Sequence, residues 1–424
     1  MAARDRCGLA RAVIEDRLRS GFCAGLNLKS ARGCPLNVPM QHLLRCHPIT
    51  GDDFVRGANC DLFDAQGRRF VDLESGSWAA VLGHSHARVN AVLKAQLDRV
   101  MHLGVRWPNH LAEEAAVAVL GLVGAPEGKC TFLSSGSEAV EFGVQAARRV
   151  SGRPLLVTLA NSYLAAFGSA AAKAAAEWHL VDPVAGAADP ARCLAGIPFE
   201  RVGGFVFEPG GGGPLFGRFP AESLVVALAE RVRATGGLLV VNEVTTGLGR
   251  TGRWFGYEHY GLSPDIVALG KGLGNGYPIS ATTFRREVAE ALERGGFYHA
   301  QSHQNNPLGC AVACEVIEIL RTGGWIERAE RVGAWFRSEL QRLQARHRCI
   351  REVRGRGLLV VLELDPAGPC SGTTAQAALR EQGFLVGCYP AGHAAGTGVR
   401  FDPSLTVEES DLARVVACLD SLLP

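Results

Sequence analysis

The sequence predicts an α/β protein: a large, mostly parallel mixed sheet flanked by helices, with a smaller α/β domain built from both chain ends. Three observations lead there. Five short apolar runs recur after residue 87, namely "CTFLS" (130–134), "PLLVTL" (154–159), "GGFVFEP" (203–209), "LLVV" (238–241) and "DIVALG" (265–270). Continuous apolar runs of that length read as strands buried on both faces. Amphipathic stretches such as "ARVNAVLKAQLDRV" and "AESLVVALAERVRATGG" separate several of them, and strand–helix alternation implies crossover connections and a parallel sheet. Finally, 424 residues that are 47% apolar and 20% charged can bury a large core and fill more than one folding unit.

Taken in order, residues 1–45 read as an N-terminal arm with a short helix at Leu9–Arg19. Residues 46–86 are assigned to the small domain, because "DLFDAQGRRFVDL" alternates in strand fashion around an Ala-Gln-Gly turn. Residues 87–320 form the large domain, and 321–424 return to the small one, with "GWIERAERVGAWFRSELQRLQARH" as helix and "VRGRGLLVVLEL" as strand. The segment "EPGGGGP" (208–214) reads as locally flexible.

Composition narrows the function. A net charge of +2, sparse aromatics and the absence of a basic block argue against nucleic acid. No apolar run reaches the roughly 18 residues that a membrane span requires. The start lacks the uninterrupted apolar core of a secretion signal. Thirteen cysteines, odd in number and without a Cys-x-x-Cys pair, read as buried thiols of a cytoplasmic protein. Cys310 and Cys314 share an apolar helix face and are assigned to packing, and His84 with His86 lack a third metal ligand, so no metal is expected.

Only five lysines occur: Lys29, Lys94, Lys129, Lys173 and Lys271. Lys94 and Lys173 lie on helical stretches and are expected to be solvated, Lys29 falls in the arm and Lys129 in a turn before a strand. Lys271 differs, because it follows "DIVALG" and is flanked by glycines in "GKGLGNG". Ligands of open α/β sheets gather at the carboxyl ends of strands, and a lysine desolvated there can lose its proton and act as a nucleophile. The alternative is a lysine in a surface turn. In "FLSSGSEAVEFGVQAARRV" a strand ends and a helix opens, with Ser135 and Glu138 at capping-box spacing. Backbone N–H groups and hydroxyls at such a start can hold an anion, with Gly136 admitting a phosphate closely; an ordinary capped helix is the competing reading. "GLGRTG" (247–252) matches Gly-x-Gly-x-x-Gly, but the "RWFGYEHYG" that follows has no helical period, which weighs against a dinucleotide site.

With these residues in place, "LLVVNEVTTGLGRTGRWFGYEHYGLSPDIVALGKGLGNGYPIS" resembles the signature of the class III, pyridoxal 5′-phosphate (PLP)-dependent aminotransferases. "FLSSGSEAVE", "HQNNPLGCAVA", "VRGRGLL" and "VRFDPSLTVEES" follow in the family's order. The resemblance implies fold-type I, a homodimer with shared active sites, and a small amino acid or keto acid as substrate. It makes Lys271 the Schiff-base lysine and places Ser135, Gly136 and Ser137 at the cofactor phosphate. Tyr163 is similar to the aromatic that stacks on the ring, and Glu208 to the glutamate of a Glu-Pro step. Ser302 stands where a threonine reaches the partner's phosphate, and Arg400 looks like the arginine that takes a substrate carboxylate.

The departures are specific. Asn242 stands where the family has the aspartate that pairs with the pyridine nitrogen, and Thr245 where a glutamine bonds the ring hydroxyl. Leu164-Ala165 replaces His-Gly, and His303-Gln304-Asn305 replaces Phe-Gly-Gly; His303 is open to either a pocket or a packing role. Gly213 replaces the glutamate that can sequester the substrate arginine, so Arg400 is expected to offer a carboxylate its bidentate fork. An aspartate raises the ring nitrogen's pKa by charge, which an amide cannot do. A charge-assisted hydrogen bond contributes roughly 1.5–3 kcal/mol against about 0.5–1.5 for a neutral one, a difference worth about tenfold in rate. Asn242 is therefore expected to donate its N–H to a neutral ring nitrogen, and Asn242→Asp to strengthen transamination. Two alternatives to an aminotransferase stay open: a PLP enzyme of another reaction type, such as a racemase, lyase or replacement enzyme, and a non-catalytic homologue. A further alternative is that Asn242 caps a local turn.

Overall fold

Seven strands make the central sheet: β1 (Lys129–Leu133), β2 (Leu155–Leu159), β3 (Trp178–Val181), β4 (Val202–Phe207), β5 (Leu238–Asn242), β6 (Ile266–Leu269) and β7 (Ser280–Phe284). Their order across the sheet is β1-β7-β6-β5-β4-β2-β3. β7 runs antiparallel to β1 and β6, while β2 to β6 pair in parallel. The computed structural model describes residues 53–210, 217–388 and 398–424, with positions 42, 44 and 46. The arm helix expected at residues 9–19, Lys29 and Gly213 lie outside the described residues.

Four of the five apolar runs named from sequence are strands within a residue or two, and the fifth, "LLVV", extends to Asn242. β4 and β6 are buried throughout, which explains their unbroken apolar pattern. β3 and β7 lack that pattern: β7 reads Ser-Ala-Thr-Thr-Phe, and β3 is an edge strand with Leu180 exposed. Helix Gly136–Ser151 packs Val140, Val144 and Ala147, all buried, against β4 to β7. Burial of side chains this size contributes about 1.5–3 kcal/mol each for the larger ones.

The smaller sheets draw on distant parts of the chain. Asp61–Asp64 and Arg69–Asp72 form an antiparallel hairpin, to which Phe384–Leu385 adds in parallel against Val71 and Asp72. Ile350–Arg356, Leu359–Leu364, Gly398–Phe401 and Gly387–Cys388 form an antiparallel sheet in that order. Two units are distinguished, and the second comprises residues 56–63 with 68–424. The site described next lies wholly in the second. Because β7 reverses direction once on either side, the carboxyl ends of β1, β2, β4, β5 and β6 all open on one edge of the sheet.

Candidate active site

Lys271 follows the end of β6 and begins a 3-10 turn, Lys271–Gly274, at a φ of 44°. A lysine in the left-handed region costs energy that its surroundings must supply. Asn275 provides part of the support: its amide oxygen accepts from Leu82 N at 2.8 Å and its nitrogen donates to Gly83 O at 3.0 Å. Lys271 Nζ donates to Thr245 Oγ1 at 3.0 Å and lies 4.5 Å from the centre of the Trp78 ring. Burial pushes its pKa down to about 8; Glu208 opposes this, Arg400 and Arg250 add to it, and Asp402 opposes it. The amine therefore carries a sizeable unprotonated fraction near neutral pH.

At the end of β1, Ser135 caps helix Gly136–Ser151. Its Oγ accepts from Glu138 N at 3.3 Å and donates to Glu138 Oε2 at 2.9 Å, and that carboxylate oxygen also takes Ser134 N at 3.1 Å. The N–H groups of Gly136 and Ser137 meet no acceptor among the described residues, as expected for the first turn of a helix. The fold itself favours glycine at 136, since a Cβ there would lie 2.5 Å from Val244 Cγ1.

Tyr163 lies in the loop after β2, and four side chains tie that loop's backbone. Glu208 Oε2, just beyond β4, accepts from Tyr163 N at 2.7 Å. Lys173 donates to Ser162 O, and Ser137 Oγ accepts from Ala166 N at 2.9 Å. Asn242 Nδ2 donates to Tyr163 O at 3.1 Å and Leu164 O at 3.4 Å, while its Oδ1 accepts from Val244 N at 3.1 Å. An amide has two N–H donors, and both are spent on the loop. The expectation that Asn242 donates to a ring nitrogen is thus revised: its described bonds are local, and its remaining capacity is a lone pair on Oδ1. Lys173, expected to be solvated, is half-buried instead.

Arg400 is held on several sides. Its Nε donates to Asp402 Oδ1, its Nη2 lies 3.2 Å from Glu74 Oε1, and its Cζ sits 3.9 Å from the centre of the Trp78 ring. Gly387 lies against the guanidinium, since a Cβ there would approach Nη2 within 2.7 Å. A carboxylate does oppose Arg400, but it is Glu74, 326 residues away in sequence. Burial and the charge of Asp402 push the Glu74 carboxyl up to about 7, with Arg400 pulling it down.

Glu74 and Trp78 reach the site through an unusual turn. Ser75, Gly76, Ser77 and Trp78 all have φ between 45° and 68°, a run that only the glycine adopts readily. Asp72 supports it by accepting from Glu74 N and Gly76 N, both at 2.9 Å, and from His84 Nε2 at 2.7 Å. Arg250, fully buried, donates to Ser75 Oγ at 3.1 Å, Leu358 O at 3.1 Å and Pro403 O, and burial pushes its pKa down to about 10. Glu243 accepts from Gly256 N, Tyr257 N and Thr246 Oγ1, bracing the glycine-rich loop after β5. That loop consists of turns followed by the 3-10 segment Gly256–Tyr260, with no helix opening within its glycines. Sequence reasoning missed Glu74, Trp78, Arg250 and Glu243 because their partners are remote or are backbone groups.

Ser302 is exposed in a turn and lines a cavity of about 470 Å³ with residues 102–107 and 300–301. His303 is also exposed, with its ring 4.9 Å from that of His102. Neither residue has a described contact with Lys271 or Asn242. Cys310 is buried and Cys314 half-buried in helix Pro307–Thr322.

Comparison with known proteins identifies this arrangement. The aminotransferase class-III sequence profile matches residues 47–175 and 194–423, and the chain belongs to that family. It is 31% identical to the acetylornithine aminotransferase of Bacillus subtilis, over 84% of this chain and 91% of that one. It is 30% identical to the [LysW]-aminoadipate semialdehyde/glutamate semialdehyde transaminase of Sulfurisphaera tokodaii, over 74% and 82%. The acetylornithine aminotransferase structure from Elizabethkingia anophelis superposes with a TM-score of 0.77 at 26% identity, covering 90% of this chain and 96% of that one. The fold is that of the fold-type I enzymes, and the protein is a PLP-dependent transferase of the aminotransferase class. Its residues fit the cofactor in part: a buried amine of lowered pKa, two open N–H groups at a helix start, and a tyrosine that is 42% exposed.

Proposed function

We propose that this enzyme attaches PLP covalently through Lys271 and exchanges an amino group between an amino acid and a keto acid whose carboxylate meets Arg400. When bound, the cofactor supplies a reactive aldehyde carbon and an electron-accepting ring. The observation that carries the reading is the Lys271 amine, desolvated at the carboxyl edge of the sheet and oriented by Thr245. The N–H groups of Gly136 and Ser137 and the Ser135 hydroxyl would hold the phosphate at the positive end of their helix. The Tyr163 ring would stack, presented by a backbone that Glu208 and Asn242 fix. With its pKa near 8, Lys271 Nζ can also take and return a proton near neutral pH. Asn242 brings no charge to the site, which supports slower transamination or a narrower reaction range.

The relatives named for acetylornithine and semialdehyde substrates support a donor or acceptor that bears a carboxylate. A homodimer with shared sites is supported by the exposed apolar side chains of Leu97, Val100, Met101, Val105 and Trp107, which run beside the Ser302 cavity. The thiols of Cys60 and Cys310, buried and without disulfides, support a reducing, cytoplasmic location. No helix among the described residues is long and apolar enough to cross a membrane.

The test is borohydride reduction of the cofactor-loaded protein followed by peptide mass mapping, with the modification expected on Lys271. A panel of amino acids should then release the corresponding keto acids. Exchange of the α-proton without keto acid would indicate racemisation, and loss of a side-chain group would indicate elimination or replacement. An unmodified Lys271 would refute the proposal.

A further inference from the structure

We propose that Lys173 is a positioning residue of this site: its ammonium holds the Ser162 carbonyl of the Tyr163 loop and shares the buried carboxylate of Glu208 with Lys271. The inference rests on Lys271 being the covalent residue.

The geometry is that of a strut. Lys173 closes the short helix Ser169–Ala172 as its left-handed cap, at a φ of 44°, with its own N–H donated to Ser169 O at 2.8 Å. The helix is pinned at its start, where Glu141 accepts from Ser169 N and Ala170 N, both at 3.0 Å. Ser169 Oγ donates to Glu177 Oε2 at 2.6 Å and accepts from Trp178 Nε1 at 2.9 Å, with Arg148 closing the group. From that base the lysine turns inward and donates to Ser162 O. One residue on, Tyr163 N donates to Glu208, which is 1% exposed. Lys173 and Glu208 thus hold the C=O and the N–H of a single peptide group, the one that leads into Tyr163.

Their charges are coupled as well. Burial lowers the Lys173 pKa and Glu208 opposes it. Glu208 also opposes the lowering of the Lys271 pKa, alongside Asp402, while Arg400 and Arg250 act the other way. Glu208 therefore favours the charged form of both lysines. Removal of the Lys173 charge leaves the carboxylate less neutralised, so Lys271 should hold its proton to higher pH.

The experiment compares Lys173→Met, Lys173→Arg and the parent as full-length, cofactor-free protein. Each is reductively methylated with formaldehyde and cyanoborohydride from about pH 6 to 10, a span that brackets lysine titration. The extent at Lys271 is then read by mass mapping. With five lysines in the chain, each reports separately. Lys173→Met is expected to raise the Lys271 midpoint by about half a pH unit or more, as loss of a nearby compensating charge should, and to weaken PLP binding. Lys173→Arg should restore the parental midpoint. A folded Lys173→Met protein with an unmoved midpoint overturns the proposal, as does a parent in which Lys173 methylates as readily as exposed Lys94. If borohydride mapping instead fails to find PLP on Lys271, the covalent assignment fails, whereas the formaldehyde profile still reports the coupling of the two lysines.

Discussion

Glu74→Gln should tighten binding of carboxylate substrates. A carboxylate that takes a guanidinium as a fork uses either the Nε–Nη2 or the Nη1–Nη2 edge, and both include Nη2. Asp402 holds Nε, and Glu74 lies 3.2 Å from Nη2. A substrate must displace Glu74 to use Nη2. A buried charge-assisted bond is worth about 1.5–3 kcal/mol, but the Glu74 side chain is 33% exposed, so screening reduces this to roughly 0.5–1.5 kcal/mol. KM for a carboxylate-bearing amino acid should therefore fall about two- to tenfold, with kcat little changed. The pH dependence has a definite sign. The Glu74 carboxyl is raised to about 7 in the folded protein from an ordinary 4.5, so it is charged above pH 7 and largely neutral below it. In the parent, this group makes KM fall as pH drops through 7, and Glu74→Gln should flatten that segment. The same shift makes the charged carboxylate a cost to folding that is absent below pH 4.5 and complete above 7. Loss of the charge should therefore not lower stability at alkaline pH. Steady-state kinetics on both proteins across that range decide the matter. A KM that rises on substitution would refute the reasoning, because it would mean that Glu74 orients Arg400 for substrate instead of competing with it.

Other substitutions separate support from chemistry. Arg400→Ala should cost about 3–5 kcal/mol of stability, because it strands the fully buried Asp402 without its cation; denaturant unfolding measures this, and any increase in KM should be read only on the folded fraction. Asn242→Asp sets an anion against the carbonyls of Tyr163 and Leu164, at 3.1 and 3.4 Å from the present amide nitrogen. It should lower apoprotein stability by about 1–3 kcal/mol, with the loss relieved as acid protonates the new carboxyl. The gain in transamination expected from the sequence is a separate readout, and faster transamination with an unchanged melting temperature would show that the loop yields easily. Light scattering should give a mass near twice 45.0 kDa, and Trp107→Glu, at an exposed apolar position, should shift it toward the monomer.

The parts of this protein that could be read from its sequence are those whose signals are local. The parallel strands announced themselves because both their faces are buried. Lys271 stood out because glycines flank it where a strand ends, and Ser135 because its hydroxyl caps the helix at the N–H of Glu138, three positions on; the reciprocal bond of the expected capping box goes to Ser134 N instead. What stayed hidden depends on chain folding back from afar. The turn Ser75–Trp78 contains a single glycine yet holds four residues at positive φ, and it does so because Arg250 and Asp72, the latter held by His84, bond to it. That turn brings Glu74 to Arg400 and Trp78 between the arginine and Lys271. The glycine at position 213 therefore could not settle whether the arginine is opposed. The same holds for Asn242. The resemblance alone presents it as an aspartate's position without the charge, whereas in the fold it is an amide donor set against two loop carbonyls that an aspartate would repel. Because those bonds run to main-chain carbonyls, they depend on the path that the loop takes and not on the side chains of Leu164 and Ala165.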